Sequence, residues 1–244
     1  MKASPSDQQR LLELQALDSR LAQLARRERE LPERAALAAL DADRARLRAD
    51  LASLRGTLED AQAELRRVES DVDSVIARVA REQERSLAAT DAKQAQALER
   101  ELESLRRRKA DLEDIELVVM EKVEEHQTAV NGVAAGLEDL EHRRADAAHA
   151  IEVALAEIHT ERDAVSSSRS TLAASLPEDL VALYEQQRAR YGVGASLLRR
   201  RVSEAAGVEL TADELQAVRA AAPDDVILCP SSSAILVRTA ESGL

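Results

Sequence analysis

Few residues in this chain have the chemistry of a catalytic or metal centre. Two acid-x-x-His pairs, Asp139 with His142 and Asp146 with His149, carry the spacing that carboxylate-bridged metal bundles use. Those centres draw ligands from several facing helices, whereas both pairs here fall in one segment, so they read as solvated polar residues. His126 takes a core position of a heptad repeat, where a polar side chain sets register. No Ser, His and acid form a recognisable nucleophilic group, and no Gly-rich phosphate loop exists. The chain therefore reads as non-enzymatic. Two basic runs remain. Arg106-Arg107-Arg108-Lys109 is embedded among acids and reads as a solvated, paired face. Arg199-Arg200-Arg201, preceded by Arg188 and Arg190, is the best candidate for contact with an acidic partner or nucleic acid. Residues 178–244 hold seven bases against ten acids, and only Tyr184 and Tyr191 are available to stack on bases. Nucleic acid is therefore the second reading, behind an unidentified protein partner.

The composition says which elements must position these residues. Of 244 residues, 45% are hydrophobic and 33% charged, but 1% aromatic, with neither Phe nor Trp. A globular core of this size would use aromatic rings that bury roughly 150–250 Å² each. Seven Gly and five Pro are too few for a turn-rich sheet protein, so long helices plus a small module are expected. The net charge of −12 disfavours general binding to phosphate backbones. No apolar run approaches the roughly 18–20 residues of a membrane span, and Met1-Lys2-Ala3-Ser4-Pro5 leads into a charged helix without a secretory apolar stretch. The single cysteine, Cys229, has no partner for an intramolecular disulfide, which fits a reducing compartment. A cytoplasmic protein with no membrane contact is expected.

No proline lies between Pro32 and Pro177, and the apolar residues between them step by three and four. Leu37, Leu40, Leu47, Leu51, Leu54, Leu58, Leu65, Val68, Val72, Val75 and Val79 mark the first arm. Leu98, Leu102, Leu105, Leu112, Val119, Val123, Val130, Leu137, Leu140, Ile151 and Ile158 mark the second. Repeats this long specify a left-handed coiled coil. The pattern lapses over residues 86–91, where Thr90 or Asp91 is placed to cap a new helix. Pro5 and Pro177 stand nearly equidistant from Thr90, which describes an antiparallel hairpin with arms of about 120 Å. A turn at Thr90 would oppose Leu40 to Leu140 and Leu54 to His126. A parallel dimer of one long helix is the alternative, and a hairpin can itself form a homo-oligomer through its outer faces. A change of heptad phase predicts a kink at Leu31-Pro32, and the serine run 166–170 predicts a loosened end of the second arm. Residues 1–176 thus form the hairpin and 177–244 a second unit. The latter opens with a helix carrying Leu180, Leu183 and Tyr184, then a short helix capped by Thr211 and Glu214. A β-hairpin of residues 226–229 and 234–238 closes it.

Several stretches resemble a bacterial family with an amino-terminal coiled-coil hairpin and a carboxy-terminal four-cysteine zinc ribbon. They are Leu98-Glu99-Arg100-Glu101-Leu102-Glu103-Ser104-Leu105, the run from Asp111 to Glu121, Gly192-Val193-Gly194-Ala195, and Ile235-Leu236-Val237-Arg238-Thr239. The resemblance implies a mainly α fold: a long hairpin with a small α+β ribbon-like module. It places the four ligand positions on Ser203, Ala206, Cys229 and Ser232, and a following glycine position on Ser233. Three of the four ligands are absent, so no zinc is expected; the module would instead hold by packing Val202, Val208, Leu210, Leu215, Val218, Ile227, Leu228, Ile235 and Val237, or by docking on the Leu180 helix. The resemblance also implies a protein-interaction adaptor linked to transcription or secretion, since some relatives engage an RpoN-class sigma factor, export components or RNA.

Overall fold

The computed structural model describes residues 1–244 and divides them into two compact units, one of Glu33–His149 and one of Met1–Pro32 with Ala150–Leu244. Helix α1 covers Pro5–Arg29, α2 Pro32–Leu87 and α3 Ala92–Ala174. Helix α2 begins on Pro32, whose missing N–H and fixed φ suit a first helical turn. Between α2 and α3, Asp91 Oδ1 accepts a hydrogen bond from the Lys93 N–H at 3.2 Å, which starts the returning helix.

In the first unit α2 and α3 run antiparallel as a long helical hairpin. Leu51, Leu58 and Val130 are buried in its seam, flanked by Leu54, Val133, Ala134 and Leu137. Leu112, Val119 and Leu140 are buried further along α3. Ion pairs lace the edges: Arg44 to Glu141 (2.5 Å), Arg78 to Glu101 (2.7 Å), Lys122 to Glu64 (3.9 Å), and Arg144 to Asp41. Leu54 belongs to the cluster that draws Val123, Val130, Val133 and Leu137 from α3, the stretch on either side of His126.

The serine run does not loosen α3. The hydroxyls of Ser168, Ser170 and Thr171 donate to the carbonyls of Ala164, Ser166 and Ser167, so the helix continues to Ala174 with its polar side chains bonded back onto it.

In the other unit α1 packs along the last part of α3, with Leu24, Leu31 and Ile158 buried together. Helix α4 (Glu178–Tyr191) ends on Gly192 at φ +82°, a left-handed position that glycine adopts without strain. Strands β1 (Ala195–Arg199), β2 (Val202–Ser203), β3 (Val208–Glu209) and β4 (Ile235–Val237) form one sheet in the order β3-β2-β1-β4, and α5 (Ala212–Ala220) lies between β3 and β4 in the chain. Strand β4 runs parallel to β1, pairing Ala195 with Ile235 and Leu197 with Val237. The expected carboxy-terminal β-hairpin is present as a short antiparallel contact: the bridge of Leu228 with Ile235, flanked by bonds from the Cys229 N–H to the Ala234 carbonyl and from the Leu236 N–H to the Ile227 carbonyl (both 2.8 Å). On its other edge β4 pairs with β1, whose Ala195, Ser196 and Leu198 are buried. One face of the sheet gives Ala195, Ile235 and Val237 to Leu11, Leu14, Leu180 and Tyr184 of the helices. The other gives Leu198 and Leu236 to Leu210, Leu215, Val218 and Cys229. Packing and docking therefore both hold the module, although Val208 and Leu228 stay exposed.

A polar clasp locks this unit. Asp18 on α1 accepts two bonds from Arg169 on α3 (2.8 and 3.2 Å), one from the Tyr184 hydroxyl (2.7 Å), and faces Arg188 at 3.3 Å. Glu185 bonds both arginines. Gln15 Oε1 accepts from the Gly194 N–H at 2.7 Å, and a Cβ on Gly194 would lie 2.4 Å from the Tyr184 ring, so only glycine fits there. Burial pushes the Asp18 and Glu185 carboxyls up, but the Arg169 bond, together with Tyr184 for Asp18 and Arg188 for Glu185, outweighs it and holds both below their ordinary values. A depressed carboxyl contributes stability that is present above its unfolded value and lost as pH falls through the folded one. The chain should therefore lose stability progressively below about pH 4. Asp18→Asn should cost about 3 kcal/mol at pH 7 and give a shallower acid decline. Denaturant melts at pH 7, 4 and 3 measure both; unchanged stability at pH 7 would show that the clasp is not structural.

Candidate functional site

Two turns converge beside the first residues of β1 and β4. In the first, the Gly207 N–H donates to the Ser203 carbonyl (2.8 Å), with Gly207 at φ +64°. In the second, the Ser233 N–H donates to the Cys229 carbonyl (2.8 Å), with Ser233 at φ +59°. The turns touch where Cys229 Sγ meets Ser203 Oγ at 3.4 Å, and Ser203 Oγ also lies 3.3 Å from Ser196 Oγ. Cys229 and Ser203 are both almost fully buried. Burial pushes the Cys229 thiol up, yet the hydroxyls of Ser203 and Ser232 and the backbone of Ser231 and Ser232 act in the opposite sense and leave it below its ordinary value. Of the four positions that the resemblance assigns to zinc, this brings Cys229, Ser203 and Ser232 to one locus. The donor set does not suit the ion: Ala206 presents a methyl group, and two neutral hydroxyls with one thiol do not make a tetrahedral set of anionic or imidazole donors. What remains is a small hydrogen-bonded polar core between two turns.

The basic residues separate into bound and free. Arg188 belongs to the clasp with Asp18 and Glu185, and Arg199 pairs with Glu204 (3.1 Å) and Glu241 (2.9 Å). Arg190, Arg200 and Arg201 are exposed and form no ion pair. Arg200 and Arg201 are the two-residue turn between β1 and β2, at φ +45° and +70°, where asparagine and glycine are the usual occupants. Their backbone N–H groups donate to the carbonyls of Glu241 and Ser242 (2.8 and 2.9 Å), and this contact with the carboxy-terminal turn (Ala240–Ser242) holds the conformation. On the hairpin, Arg107 pairs with Glu103 and Lys109 with Glu113, while Arg106 and Arg108 are exposed and form no ion pair, so that basic run is a solvated and only half-paired face. Asp139 pairs with Arg143, and nowhere do three His, Cys, Asp or Glu side chains gather as a metal site would require.

Sequence reasoning passed over one surface. Ile115, Leu117, Val118 and Met120 on α3 are 44–60% exposed, while Val119 between them is 2% exposed. The signal was present in the run Ile115-Glu116-Leu117-Val118-Val119-Met120, which carries more apolar residues than one seam can bury. No helix is long and apolar enough to cross a membrane.

Known proteins share this architecture. An uncharacterised protein of Mycobacterium tuberculosis is 41% identical over 241 residues, 98% of each chain, and one of Mycobacterium leprae is 31% identical over 222 residues, 90% of this chain and 95% of that one. A solved structure from Mycobacterium smegmatis superposes with a TM-score of 0.82 at 38% identity, covering 98% of this chain and all of the other. CT398 from Chlamydia trachomatis shares the fold, with a TM-score of 0.60 over 95% of this chain and 97% of its own, at 19% identity. Residues 14–192, which hold the hairpin and most of the clasp, match the CT398-like coiled coil hairpin domain, and the chain belongs to that family.

Proposed function

We propose that the chain is a non-enzymatic scaffold of the bacterial cytoplasm that offers its hairpin, and a terminal module working without metal, to protein partners. The observation that carries this reading is the apolar surplus of α3, which leaves Ile115 and Val118 exposed on one flank of the seam and Leu117 with Met120 on the other. The seam already buries Leu112 and Val119, yet four more large apolar residues face outward nearby. Apolar side chains grouped on a surface mark a contact to be made. The resemblance to hairpin-and-ribbon proteins directs the search for partners to transcription and secretion machinery. The single cysteine supports a reducing compartment.

A second reading, nucleic-acid contact through the module, has its own observation. Arginine at two consecutive left-handed positions costs on the order of 1–2 kcal/mol each relative to residues suited to them. Two free guanidiniums at such a turn are a feature that stability alone does not favour.

Three measurements test these readings. Photo-crosslinkers at Val118 and at Arg201 of the full chain, activated in cells, should yield a discrete protein adduct at Val118. Adducts only at Arg201 that disappear with nuclease would instead favour the second reading. Replacing the turn by Arg200→Asn with Arg201→Gly should raise stability by about 2–4 kcal/mol in denaturant melts, and in the second reading should also abolish salt-dependent RNA binding. Purified protein should hold no stoichiometric zinc, while Ser203→Cys, Ala206→Cys and Ser232→Cys together should create a thiolate site readable by cobalt absorption. Stoichiometric zinc in the unaltered protein would overturn the metal-free reading.

A further inference from the structure

Leu117 and Met120 of α3 edge a groove with a definite chemistry. Leu117, Met120, Glu121 and Glu124 follow one another at i, i+3, i+4 and i+7, a single stripe on the helix. With Leu65 of α2 and Val123 beneath them, they line an open groove of about 480 Å³ within the hairpin unit. Leu117 is 60% and Met120 49% exposed, so the apolar part of the stripe is not covered by the chain itself. Glu121 and Glu124 are exposed and form no ion pair, no Lys or Arg lines the groove, and the neutral side chains of Gln127 and Thr128 complete its polar end. The groove thus has an apolar floor and one half, and an uncompensated anionic half one turn further on.

We infer that this groove receives an amphipathic α-helix of another protein, presenting apolar anchors at i and i+3 or i+4 and Lys or Arg in the adjoining turn. This rests on the scaffold reading and names its partner's chemistry. A helix laid along α3 fills the apolar half with its anchors, as helix-in-groove recognition does. Its cations meet the two free carboxylates, which set orientation and reject acidic helices. A second copy of the chain is the poorer occupant, because a two-fold contact pairs this patch with itself and the patch holds no Lys or Arg to meet Glu121 and Glu124.

The test uses the full-length protein with two labelled synthetic helices, one of Leu and Lys and one of Leu and Glu, in fluorescence anisotropy at physiological salt. The Leu/Lys helix should bind and the Leu/Glu helix should not. Leu117→Ser with Met120→Ser should weaken binding about tenfold, and Glu121→Lys with Glu124→Lys should reverse the preference between the two helices. Asp71→Lys with Asp73→Lys changes net charge by the same amount on another face and should have little effect. All these positions are exposed, and circular dichroism verifies that each variant retains its helices. Equal weakening by the control pair would reduce the binding to general attraction and overturn the proposal, as would binding indifferent to the groove. A dimer in sedimentation that the Leu117 and Met120 substitutions dissociate would overturn it in favour of a second copy. Crosslinks to a protein at Val118 with no groove-dependent helix binding would sink the groove and leave the scaffold standing.

Discussion

Two paired helices can bury only one stripe each, and this limit governs the molecule. A hairpin core is a line of side chains a single layer thick, so no residue in it is far from water. That suits a chain built from Leu, Val and Ala with no Phe or Trp, since bulky rings would push the helices apart. It also means that stability accumulates by repetition along the seam, with ion pairs such as Arg44–Glu141 setting alignment rather than supplying much energy. Every apolar residue outside the stripe is left to the solvent or to something else. The outward residues of α3 follow from that arithmetic.

The unit holding the sheet solves a different problem. Its strands are two to five residues long and could not stand alone. Two apolar clusters sandwich them, and the clasp joins α1, α3 and α4 through Asp18, Arg169, Tyr184 and Glu185 while Gln15 holds the start of β1. A carboxylate this buried is tolerable only because every lone pair facing inward is satisfied. With one thiol, two hydroxyls and a methyl where the resemblance implies a metal, the module takes its cohesion from packing on helices remote in sequence.

Legibility followed the range of the interactions. Heptads and caps are local, so the helices, the lapse between α2 and α3 and the capping box of α5 could be read directly. The cross-arm ion pairs could not, since they depend on which edge charges find each other across the hairpin. The serine run misled because hydroxyls bonded back onto a helix look, in sequence, like a helix end. Strand β1 was hidden in a segment read for its arginines, and its parallel partner lies about forty residues away, beyond any hairpin signal. Arg188 looked like a free cation; only the arrival of Asp18 from α1 identified it as structural. The groove on α3 was written in an over-apolar run whose meaning appears once the seam is assigned.

Tyr184 gives the protein an optical property worth noting. With no tryptophan, near-ultraviolet emission comes from two phenols alone, one sealed from solvent beside a carboxylate and the other, Tyr191, half exposed at the end of α4. A carboxylate that accepts a phenol's hydrogen bond quenches its emission, so loosening the clasp should brighten Tyr184. The molecule carries its own fluorophore at the junction of four elements, and the light it withholds reports that the junction is closed.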